Sequence, residues 1–266
     1  MSGRAFLSVV FFVSLTACVK SAPQLSARGS CVECHQPHHL EVASCASCHR
    51  GNPGAQRTQL AHARLLHGKV AEHAVESSAA VAEGRALVES LACRRCHTIG
   101  KTGNRLATSL DQVVWKREQS ALIGSIAAPV ENMPKFGMTS FQIEKVVAFL
   151  LHSSDPAVAE ATYRVRFERR RGIANRFEER CGGCHRALLT DGPAGRGSAG
   201  PNLSGLFTRY YPATACGNRP WTPASLRDWL RNPRALRPQT TMRPVRLEDP
   251  DWPRLLEEFG VTASAR

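Results

Sequence analysis

The chain has 266 residues, a formal net charge of +13, ten cysteines and 10 histidines. Beyond the first eighteen residues no apolar run approaches the length that a spanning helix needs, which excludes a membrane-embedded body. Cysteine and histidine this dense point instead to chemistry carried by those side chains.

In chain order, the first stretch is MSGRAFLSVVFFVSLTAC. Arg4 gives a positive start, and Ala5 to Ala17 form a thirteen-residue run without charge. Such a run is too short to span a bilayer but suits the core of an export signal. Leu15-Thr16-Ala17-Cys18 resembles the lipobox of bacterial lipoproteins, which implies loss of residues 1–17 and a lipidated Cys18. An exported, membrane-anchored protein follows, placed at the outer membrane and facing periplasm or cell exterior. Ordinary cleavage after Ala22 is the plainer alternative. Residues 18–30, with Ser21, Pro23, Ser26, Gly29 and Ser30, read as a tether with little to bury.

The next nineteen residues, CVECHQPHHLEVASCASCH, hold Cys-x-x-Cys-His twice, at Cys31/Cys34/His35 and Cys45/Cys48/His49. The pattern returns at Cys93/Cys96/His97 and Cys181/Cys184/His185, so every Cys-x-x-Cys in the chain is followed by histidine. Zinc needs only the thiols, and a disulfide framework leaves the histidines unexplained. Two thiols three positions apart can each bond a vinyl group of one porphyrin while the adjacent histidine ligates the iron. Four covalent haem c groups are expected. Export agrees, because bacterial c-type attachment takes place outside the cytoplasm.

Residues 31–78 carry two such motifs in too few residues for an apolar core, so the haems themselves must form one. Gly51-Asn52-Pro53-Gly54 predicts a turn, followed by a short helix over Gln59–His67. No methionine lies between Met1 and Met133, so the distal ligands here are expected to be histidine. The candidates are His62 and one of His38 or His39, with His67 and His73 also spare.

Residues 79–153 predict a helix over Glu83–Leu91 running into Cys93, then Asn132-Met133-Pro134. A last helix follows, with Thr139 and Gln142 as a capping box and Ile143, Val146, Val147, Leu150 and Leu151 as an apolar stripe. This arrangement resembles a small class I cytochrome c. The resemblance implies Met133 as distal ligand, with Met138 as rival. After a linker at 154–172, residues 173–266 resemble a second, larger class I cytochrome c. Ile173 and Phe177 lead into Cys181, and Gly200-Pro201-Asn202-Leu203 matches the loop whose proline carbonyl fixes the proximal histidine. Thr222 and Pro223 start a helix that Asn232-Pro233 ends, Met242 is the implied distal ligand, and a short final helix spans about Trp252–Phe259. Cys216 has no cysteine left to pair with and reads as a loop thiol or a link to another chain.

The expected fold is mainly α: a haem-cored dihaem segment followed by two class I cytochrome c-like helical domains. The N-terminal piece resembles the multihaem modules of metal- and mineral-reducing bacteria. The whole resembles cytochrome lipoproteins of selenite/tellurite reduction or extracellular electron conduits. A distal ligand for every iron implies a non-catalytic electron carrier between redox protein partners, other multihaem cytochromes among them. The alternative is a reductase of a small oxyanion or sulfur compound at a haem with an open or labile distal site. Residues 164–266 hold nineteen Arg, no Lys and ten acidic residues. In an exported haem protein that surplus suits haem propionates or an acidic redox partner, not nucleic acid.

Overall fold

The computed structural model describes residues 31–130, 132–154, 165 and 175–262. The export signal, Cys18, the tether, most of the linker and Ile173 lie outside these residues. Among the described residues there are eleven α-helical segments and a single two-stranded hairpin, a mainly-α architecture. No helix among them is long and apolar enough to cross a membrane.

The first stretch has three helices of four or five residues, α1 (Cys31–Cys34), α2 (Cys45–His49) and α3 (Thr58–Ala61). All are below the length at which a helix holds itself together in water. α2 has local help, since the Ser44 hydroxyl accepts the backbone N–H of Ser47. Packing does not help: no residue from 31 to 65 is buried, and Val42 and Leu60 stand exposed at 44% and 54%. The helix expected over Gln59–His67 is only one turn. Its C-cap, His62, leaves helical geometry, and Arg64 adopts a positive φ of 55°.

An apolar core begins at Leu66, twelve residues before the expected boundary at 78/79. Leu66 and Val70 are fully buried with Val81, Val88, Ile143 and Val147 in one cluster, and a 3₁₀ helix over Gly68–Ala74 packs on the last helix of this unit. Short apolar stretches carry no mark of which neighbour will bury them, so the boundary was not visible. α4 (Ala79–Ser90) starts earlier than expected because Ser78 caps it. It crosses α7 (Ser140–Ser153), whose capping box at Thr139 and Gln142 forms as the sequence suggests. Gly84 lies at the crossing, where a Cβ would come within 2.0 Å of the Lys145 carbonyl oxygen. Between them lie α5 (Leu110–Lys116), capped by Ser109, and α6 (Gln119–Ala127), both unanticipated and both packed on α7.

The last unit opens with α8 (Arg176–Arg180), capped by the Asn175 side chain. β1 (Ala187–Leu189) pairs antiparallel with β2 (Gly192–Ala194), Ala187 facing Ala194. α9 (Pro223–Arg231) has a Thr222–Ser225 capping box, and Asn232, which ends it, caps the one-turn α10 (Pro233–Leu236). α11 (Asp251–Glu258) returns to α8: the Glu258 carboxylate accepts the backbone N–H of Arg176 at 2.7 Å and of Phe177 at 2.9 Å. Phe177, Leu255 and Phe259 pack beside that join.

Candidate haem sites

In all four motifs one tight turn brings cysteine, cysteine and histidine together. The histidine N–H returns to the first cysteine's carbonyl at 2.9 Å for His35, 3.1 Å for His97 and 2.9 Å for His185. Three of the four histidine rings are then aimed by a backbone carbonyl. His49 Nδ1 lies 2.8 Å from the Leu66 oxygen, His97 Nδ1 2.7 Å from Thr108, and His185 Nδ1 2.8 Å from Pro201. A carbonyl can only accept, so Nδ1 carries the proton and Nε2 keeps the lone pair that a metal needs. Burial lowers the His97 pKa against the opposing pull of the Thr108 carbonyl, which favours the neutral ring. The Pro201 carbonyl is the partner that the sequence resemblance names. Thr108 and Leu66 were not anticipated, since nothing in their identity marks a carbonyl's direction.

The two C-terminal units each present a cleft to these rings. One, of about 550 Å³, is lined by Cys93, Cys96, His97, Met133 and Pro134. The other, of about 1060 Å³, is lined by Cys181, Cys184, His185 and Met242. Met138 instead packs into the apolar core. Gly200 lies so close to the His185 ring that a Cβ would sit 2.2 Å from it. Trp229 donates its indole N–H to the Met242 sulfur at 2.9 Å, a contact between residues thirteen apart that no local pattern marks.

In the N-terminal segment the rings themselves define the sites. His35 and His62 have centroids 6.0 Å apart, and His49 and His38 are 5.5 Å apart. With metal–imidazole bonds of about 2 Å, two rings on opposite faces of one metal have centroids roughly 6 Å apart. His39 turns away: its backbone takes φ 51°, and its exposed ring meets Glu41 at 3.4 Å. His73 is buried edge-on against Trp115, its pKa pushed down to about 4 by burial and by the nearby Arg50 charge. His67 lies with Gln119, whose side-chain oxygen accepts its backbone N–H at 2.8 Å.

Among the described residues no two cysteines form a disulfide, and burial pushes the Cys93 thiol up to about 11 and the Cys181 thiol up to about 12. Clefts with apolar walls, protonated thiols at their edge and a neutral imidazole on one side fit a covalently attached porphyrin. Cys216 lies in an exposed turn, with its carbonyl accepting from Arg219 Nε at 3.1 Å.

Residues 79–150 match the family model described as cytochrome C oxidase, cbb3-type, subunit III. No curated protein and no solved structure matches the chain. The chain thus contains a c-type cytochrome domain, and the matched segment includes the motif Cys93/Cys96/His97.

Proposed function

We propose that this protein is an exported, lipid-anchored tetrahaem c-type cytochrome that relays electrons between redox partners, among them other multihaem cytochromes. The observation that carries this reading is the pairing at every motif. His35 faces His62, His49 faces His38, and Met133 and Met242 share clefts with His97 and His185. If each motif holds a haem, these side chains would supply a second ligand to every iron and leave none open to a substrate. The bound haems supply one-electron exchange between ferric and ferrous iron. The protein's own part is to fix three of the four motif histidines through a backbone carbonyl, to offer a second ligand, and to line the two C-terminal clefts with apolar side chains. Lipidation at Cys18 tethers the dihaem segment to the outer membrane, with the Arg-rich unit outermost for an acidic partner.

Two measurements on the full-length protein test this. Intact mass should show four haem additions, and the fully reduced protein should leave carbon monoxide unbound. Stoichiometric uptake of carbon monoxide at any haem replaces the carrier with a reductase of a small oxyanion or sulfur compound. Fewer than four haems removes the relay.

A further inference from the structure

We propose that the seam between the two C-terminal units is an intramolecular electron-transfer junction, closed by Asn202, between the haem held at Cys93–His97 and the haem held at Cys181–His185. The proposal rests on reading both as histidine/methionine haems.

Residues 201–204 form a loop that serves both sites. On one side the Pro201 carbonyl accepts the Nδ1 proton of His185 at 2.8 Å. On the other, Asn202 Nδ2 donates to the Asn132 carbonyl at 2.9 Å, and that carbonyl belongs to the peptide whose nitrogen is Met133's. From the ring of His185 to the backbone of Met133 the route therefore consists of covalent bonds and two hydrogen bonds, with no through-space gap. Tunnelling decays more steeply across a gap than along bonds, so this route favours exchange between the two sites.

The same loop also reaches the cysteine side of the first cleft. Arg95, between Cys93 and Cys96, donates Nη1 to the Asn202 carbonyl at 3.2 Å. The Ser204 hydroxyl lies within hydrogen-bonding reach of the Cys96 sulfur. The Asn202 amide cannot flip without loss, because its oxygen accepts both the backbone N–H of Ser204 at 3.0 Å and its hydroxyl at 2.7 Å. One flank of the loop is buried, although Pro201 itself is exposed and Asn202 half-buried. Ser204 is fully buried, and so is most of Tyr211, whose hydroxyl donates to the Asn202 carbonyl at 3.3 Å. The step transfers one electron: one iron is oxidised as the other is reduced, no bond breaks and no proton moves.

The test uses the full-length, haem-loaded protein, partly reduced, and reads exchange from the coalescence of haem methyl resonances in NMR spectra. Wild-type exchange should be fast and independent of protein concentration. Asn202→Leu, which removes the side-chain bonds, should slow it severalfold while leaving the potentials and the sulfur-to-iron band unchanged. Asn202→Asp, which keeps the shape and loses the N–H donor, should slow it too and covers the case in which Asn202→Leu fails to load haem. Asn104→Leu is the control: Asn104 Nδ2 bridges the Arg95 carbonyl at 2.8 Å and Thr208 Oγ1 at 2.9 Å, off the route. It should leave the rate near wild type. Unchanged exchange in both Asn202 variants overturns the proposal, as does equal slowing by Asn104→Leu or exchange that scales with concentration. Absence of the sulfur-to-iron band in the wild type would instead overturn the reading of the two haems, and shows separately.

Discussion

Met133 and Met242 each share a cleft with a carbonyl-anchored histidine. Met133→Ala and Met242→Ala should therefore each remove part of the sulfur-to-iron charge-transfer absorption of the oxidised protein, and Met138→Ala should remove none. Loss of that band in Met138→Ala alone would reverse the choice between Met133 and Met138. A parallel choice separates His38 from His39. His38→Ala should open one iron to carbon monoxide, whereas His39→Ala, which loses an exposed contact with Glu41 and an edge-on contact with the His38 ring, should leave binding and spectrum unchanged. Equal effects of the two would mean that the loop exchanges ligands. These examples also mark what a sequence can carry. Cys-x-x-Cys-His is legible because covalent attachment fixes its spacing. His38 and His39 are adjacent and chemically identical, and a single backbone angle, φ 51° at His39, aims them apart.

Helices with a strong cap and an apolar stripe, α7 and α9, were legible from the sequence because their signals are local. α5 and α6 had such signals as well, in Ser109 before Leu110, Val113 and Val114, and in Leu122, Ile123 and Ile126, but their stripes are short and compete with loop residues. The crossing of α4 on α7 was not legible, because a glycine inside a helix reads as a weakness until its neighbour is known. Its role is testable. Gly84→Ala improves helix propensity by about 1 kcal/mol, yet its Cβ would meet the Lys145 carbonyl at 2.0 Å. Backbone cannot yield as a flexible side chain does, so overpacking dominates and the net cost should be about 1–3 kcal/mol. Denaturant melts of the haem-loaded protein should show a lower midpoint with an unchanged slope. A midpoint at or above wild type would mean that the helices part freely there.

At the scale of the whole molecule, the four sites divide into two kinds of environment. Residues 31–65 bury nothing, while His97 and His185 sit in clefts backed by apolar clusters. Methionine sulfur stabilises ferrous over ferric iron relative to imidazole, so the His97 and His185 sites should have the higher potentials. Exposure acts in the same direction, because water around the thin N-terminal segment stabilises the extra charge of ferric iron there. Electrons should therefore leave the N-terminal pair first on oxidation and rest on the two C-terminal haems. On the proposed reading, the downhill route should run from the N-terminal pair towards the Arg-rich unit. The two halves cannot be compared by cutting at 78/79, since Leu66 and Val70 belong to the core of the following unit and the cut would expose it. The titration should use the intact chain, with electron paramagnetic resonance separating bis-histidine from histidine/methionine signals at each poised potential. The bis-histidine ferric signals should persist to lower potential than the histidine/methionine ones. If they disappear first as the potential is lowered, ligand type and exposure do not set the order, and the electron route runs the other way.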